Sequence, residues 1–210
     1  MSGISVRGLA GLVAGTALAV SGVSSASAAP VTAVSLRPAA VQVAATAAAL
    51  PSYSTWIADV TAVTDQASAY LSTRLPDKNI KAAIVLDIDN TSLESEYKGG
   101  LITPATAPVL ALANQAHAAG AAVIFVTARP EIIKALTKEN LKQVGYPNDG
   151  LYMRGTFDFS SDQTLKTNAR IKIEQAGYTI VANIGNNTTD LAGGHAERTF
   201  KLPDYDGQLS

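Results

Sequence analysis

The stretch Ala82-Ala83-Ile84-Val85-Leu86-Asp87-Ile88-Asp89-Asn90 decides how the rest of the chain is read. Its first five residues are apolar and rich in strand formers, and the run has the length of one buried strand. Two carboxylates, Asp87 and Asp89, then stand at the strand's carboxyl end, where open α/β sheets bind their ligands. Beside a cation, two such groups divide two tasks: one attacks and the other moves a proton. Taken alone, the pattern equally describes solvated acids capping a strand end.

Three further segments turn the balance toward chemistry. The run Ala121-Ala122-Val123-Ile124-Phe125-Val126 leads into Thr127-Ala128-Arg129-Pro130. Pro130 suits the first turn of a helix, so Thr127 is expected where a strand hands over to a helix, with a hydroxyl and free N–H groups forming an anion site. Lys166 falls near the start of a helical stretch that includes Arg170, Ile171 and Glu174. A last apolar run, Tyr178 to Ile184, ends in Gly185-Asn186-Asn187-Thr188-Thr189-Asp190. Carboxylates, a hydroxyl, a lysine, an amide and a further carboxylate at successive strand ends are the inventory for phosphoryl transfer with a divalent cation.

These motifs resemble the haloacid dehalogenase superfamily, and within it the secreted acid phosphatases of the class B and plant vegetative-storage-protein type. Asp87, Asp89 and Thr91 match its D-x-D-x-T motif. Thr127 with Arg129, Pro130 and Glu131 matches the second, Lys166 with Arg170 the third, and Gly185 with Asp190 the fourth. The resemblance runs from about Tyr53 onward. It implies Asp87 as nucleophile, Asp89 as acid and base, and Thr127 and Lys166 as phosphate holders. Thr91, Arg129 and Asn187 are candidate substrate contacts. It also implies a magnesium ion on Asp87, the backbone carbonyl of Asp89, and Asn186 or Asp190. Asn186 departs from the pattern, for the family carries an aspartate there. A neutral amide oxygen still ligates a hard cation but adds no charge. Loss of activity, leaving a phosphate-binding or storage protein, is one alternative; a phosphotransferase is another.

Strands alternating with helices imply an α/β fold, a Rossmann-like mostly parallel sheet with helices on both faces and a minimal cap. A helix is expected over Ser54 to Leu75, others over Ala105 to Ala119 and Glu131 to Val144, and a short acidic flap over Thr91 to Gly100. Residues 1–28 read as a secretory signal: Arg7, an apolar stretch from Leu9 to Val20, and Ala26-Ser27-Ala28 as cleavage site. Residues 29–51 read as a flexible Ala/Pro-rich lead-in, and 52–210 as the phosphatase-like domain. A secreted location with no membrane anchor in the processed chain follows. With no cysteine, no disulfide supports that domain. A net charge of −1 and no basic run exclude the electrostatic footprint of a nucleic-acid binder. The expected partners are small phosphate esters; nothing in the sequence sets an oligomeric state.

Overall fold

The computed structural model describes residues 49–209. The expected signal and most of the expected lead-in lie outside the described residues. Five parallel strands form one sheet in the order β3-β2-β1-β4-β5. They are β1 (Ala82–Leu86), β2 (Ala122–Pro130), β3 (Gly150–Arg154), β4 (Thr179–Gly185) and β5 (Arg198–Lys201). The helices are α1 (Tyr53–Arg74), α2 (Ala107–Ala118), α3 (Lys134–Gln143), α4 (Asp162–Gln175) and the one-turn α5 (Thr188–Leu191).

Strand alternation builds two cores. On β1, Ile84 and Leu86 face one side and Ala83 and Val85 the other. On β2, Val123 and Phe125 divide from Ile124 and Val126 in the same way. The first face is covered by Trp56, Val60, Ala67 and Leu71 of α1, Val109, Leu112, Ala113 and Ala116 of α2, and Leu141 of α3. The second is covered by Ala169 and Ile173 of α4. Continuous apolar strands are what a sheet buried on both faces requires. With β1 central and flanked by β2 and β4, their carboxyl ends are adjacent, and every motif noted above lies at or just beyond those ends or at the start of α4.

Two expectations require correction. Pro130 does not open a helix. β2 runs on through it, and it pairs with Arg154 of β3. A single 3-10 turn, Glu131–Ile133, follows, and α3 starts only at Lys134. A proline lacks the N–H but keeps an extended ψ (143° here), so it serves a strand end as well as a helix start. The segment after Asn90 is only partly a flap. Glu94 is buried and accepts a 2.6 Å bond from Tyr53 Oη, and Tyr97 stacks on Trp56 with ring centroids 4.6 Å apart. These polar-looking residues belong to the contact with α1.

Candidate active site

Asp87 lies one residue beyond β1, and its N–H still pairs with the Ile184 carbonyl at 3.0 Å. Beyond it the chain winds tightly, the N–H groups of Thr91, Ser92 and Leu93 all converging on the Ile88 carbonyl. Ser92 Oγ fixes the Asp87 carbonyl at 2.6 Å. Asn90 makes the turn with φ of 53°, a left-handed conformation that asparagine tolerates better than most residues.

Lys166, one turn into α4, sends its ammonium between two carboxylates. It bonds Asp87 Oδ1 at 2.9 Å and also Asp190 Oδ1. Burial alone would lower the lysine's pKa, but the charges of Asp87 and Asp190 outweigh it and the net shift is upward. Burial pushes the Asp87 carboxyl up and the charge of Asp190 adds to that, while Lys166 opposes both. The net shift is again upward, burial and the neighbouring Asp190 outweighing the ammonium. Asp89 is more open. Burial would raise its pKa, yet hydrogen bonds from Arg129 and Ser95 hold the carboxyl below the usual range. The Arg129 pair is bidentate, Nε to Oδ2 at 2.8 Å and Nη2 to Oδ1 at 2.6 Å, and Ser95 Oγ adds a third bond at 2.6 Å.

The turn after β4 is held from beneath. Asn187 caps α5 while its own N–H reaches Asp190 Oδ2 at 2.7 Å. Arg170, fully buried, donates to the carbonyls of Asp190, Ala192 and Gly194. A Cβ on Gly185 would overlap the Asp190 side chain, so the strand can approach this turn only as glycine. Asn186 Oδ1 accepts from Thr91 Oγ1 at 3.1 Å, and its amide nitrogen donates to the Leu209 carbonyl at 2.6 Å.

One cleft of about 160 Å³ gathers Asp87, Asp89, Thr127, Arg129, Lys166, Asn186 and Asn187. It lies below the roughly 300–1,000 Å³ of sites that enclose drug-sized ligands, so it has room for a small polar group only. Thr127 is buried at the wall, but its hydroxyl accepts the Arg129 N–H at 3.1 Å, and no helix N-terminus stands behind it. Thr91 is a second correction at the site. It is fully buried and braces Asn186, so it does not face a substrate. Asp190 lies beneath the cleft with both oxygens engaged. His195 binds Glu174 at 2.6 Å and does not line the cleft. Ser92, Ser95 and the Leu209 carbonyl went unforeseen. The two serines lie within six residues of Asp89, the only hint available; Leu209 carries no local signal.

The donor set suits a hard divalent cation, although no group of three His, Cys, Asp or Glu side chains among the described residues is placed to hold one. Asp87 Oδ2 receives no hydrogen bond from the described residues. The Asp89 carbonyl and Asn186 Oδ1 are oxygen donors of the kind such ions take. Asp190, saturated by Lys166 and the Asn187 N–H, offers charge rather than a free oxygen.

Residues 98–208 match the family model for subfamily IIIB of the HAD superfamily, the acid phosphatases. The chain belongs to that family. The match includes Thr127, Lys166, Asn186 and Asp190; Asp87 and Asp89 lie ahead of it. Two soybean (Glycine max) proteins, the stem 28 kDa and stem 31 kDa glycoproteins, are each 36% identical over 120 residues. That aligned region is 55% of this chain and 47% and 41% of theirs. The chain thus spans about half the length of these curated relatives. Acid phosphatase 1 of Solanum lycopersicum is 27% identical over 169 residues, covering 70% of this chain and 66% of the relative. Among solved structures, the class C acid phosphatase from Bacillus anthracis superposes with a TM-score of 0.60 at 16% identity, over 74% of this chain and 83% of that one. This last likeness is one of fold.

Proposed function

We propose that the protein is a secreted, magnesium-dependent phosphomonoesterase acting on small phosphate esters through an aspartyl phosphate on Asp87. One observation carries the proposal. Two aspartates in a single cleft are each paired with a different cation, Asp87 with Lys166 and Asp89 with Arg129. Lys166 favours the ionised form of Asp87 that attack requires, against burial and the charge of Asp190, and a bound cation would favour it further; Asp89 is left as the proton carrier.

The Asp87 carboxylate attacks phosphorus as the ester P–O bond breaks, and Lys166 and Thr127 take the phosphoryl oxygens. Asp89 gives the departing alkoxide its proton. It then takes one from the water that attacks phosphorus and frees Asp87. In the resting site Asp89 is ionised and clamped, so the acid step requires Arg129 to release it and the freed carboxylate to take up a proton from solvent or from a monoprotonated ester; the guanidinium, also on the cleft wall, is then available to the phosphate. A magnesium ion, held by Asp87, the Asp89 carbonyl and Asn186, would offset the repulsion between carboxylate and phosphate. Positioning and charge stabilisation supply most of the rate.

A second reading, binding without turnover, is favoured by the names of the soybean relatives, which are stem glycoproteins, and by the neutral Asn186. The two separate in an assay of phosphate monoesters with magnesium, with and without chelator. The expected result is hydrolysis that chelator abolishes and that Asp87→Asn lowers by more than about a hundredfold. Absence of turnover on every ester, with inorganic phosphate still bound, would give the storage reading its place.

A further inference from the structure

The segment after β5 returns to the site as a strap. Leu202 N bonds the Gly185 carbonyl at 2.9 Å, Tyr205 Oη reaches Asp59 Oδ2 on α1 at 2.7 Å, and Leu209 N closes back on the Asp204 carbonyl at 3.1 Å. The Leu209 side chain is buried in the first core, while the residue itself borders the cleft. Its carbonyl accepts two amide bonds, from Asn90 Nδ2 at 3.0 Å and Asn186 Nδ2 at 2.6 Å. One donor follows Asp89 in the loop after β1; the other opens the loop after β4. A single main-chain oxygen therefore ties together the two loops that carry Asp87, Asp89 and Asp190.

We propose that Asn186 is a positioning residue. Its amide latches the strap 204–209 across the site, and the latch sets the direction in which its side-chain oxygen points. The chemistry leaves little choice of orientation. A carbonyl only accepts, so the Asn186 nitrogen must face Leu209 and its oxygen must face the other way. That oxygen meets the Thr91 hydroxyl, which in turn accepts the Asn186 N–H at 3.0 Å. Aspartate, the residue that the family resemblance implies here, cannot serve. An ionised carboxylate has no donor, and one of its oxygens would confront the Leu209 carbonyl at close range. The amide thus exchanges one unit of charge toward a cation for a fixed strap and a fixed ligand direction. The latch stands on the hydrogen bonds alone; its effect on the cation rests on the phosphatase reading above.

Two variants of the full chain test this. Asn186→Asp removes one donor. Asn90→Gly removes the other without straining a left-handed residue. Amide hydrogen exchange of the strap is followed in both, and magnesium chloride is titrated into each by calorimetry. The strap is expected to exchange about tenfold faster in each variant, the loss of one buried hydrogen bond. Asn90→Gly is expected to weaken magnesium binding several-fold although Asn90 is not among the ligands; it also frees the Glu96 N–H that Asn90 Oδ1 accepts at 2.8 Å, and the control Asn90→Asp, which keeps that acceptor and loses only the donor, is expected to speed strap exchange alike. Unchanged strap exchange in Asn186→Asp overturns the latch. Faster exchange with unchanged magnesium affinity in Asn90→Gly overturns the positioning role. Neither readout uses turnover, so an inactive wild-type protein defeats the proposed activity without deciding the latch.

Discussion

Asp89 and Arg129 hold each other in the resting site, and the pairing bears on how the site works. An arginine that binds a carboxylate bidentately is also the side chain best shaped for a phosphate. A phosphate ester entering the cleft would compete with Asp89 for the same guanidinium, and the exchange would leave Asp89 free to take up a proton from solvent and deliver it to the leaving group. Asp89→Asn isolates the step. It should slow alkyl phosphates, whose leaving groups need a proton, by about a hundredfold or more, and slow activated aryl phosphates far less. Steady-state rates on one ester of each type check it; equal losses on both would remove Asp89 from acid catalysis. The pair of aspartates was legible in the sequence because a strand pattern precedes them. The competition for Arg129 was not, since Asp89 and Arg129 lie 40 residues apart and only the fold brings them together.

The long, strongly patterned elements were the readable ones. α1 begins and ends within a residue of expectation, Ser52 capping it by accepting the Thr55 N–H at 3.2 Å. β1 was visible because a strand buried on both faces is written in unbroken apolar residues, and β4 because its apolar run is interrupted inside only by Asn183. The passage from β2 to α3 was misread because proline suits two conformations, and only the β3 partner strand shows which one is used. α5 was not foreseen, since four residues are too few for any periodicity; its capping box at Asn187 and Asp190 is what marks it. Gly185→Ala puts a methyl group where Asp190 stands, so Asp190 must move and with it the Lys166 contact. Activity should fall by at least about a hundredfold, the scale on which misplaced catalytic groups are felt, and circular dichroism should show the fold retained. Wild-type activity in Gly185→Ala would mean that the turn has room that the structure does not show.

At the scale of the molecule, the order β3-β2-β1-β4-β5 explains why the site lies where it does. The first strand is central, so its tip is flanked by those of β2 and β4, and three loops that are distant in sequence meet above it. The family and the fold followed from motif order. The strap did not, because Leu209 contributes a main-chain oxygen and a backbone carbonyl leaves no trace in residue identity. No helix among the described residues is long and apolar enough to cross a membrane.

The central claim, that Asp87 carries the phosphoryl group, has one direct measurement. The protein is mixed with an activated phosphate ester, quenched in acid during turnover and digested, and the peptides are weighed. The expected result is one added phosphoryl group on the peptide bearing Asp87, discharged by hydroxylamine and absent from Asp87→Asn. Continued turnover with that peptide unmodified, or with the phosphoryl group on another residue, would contradict it.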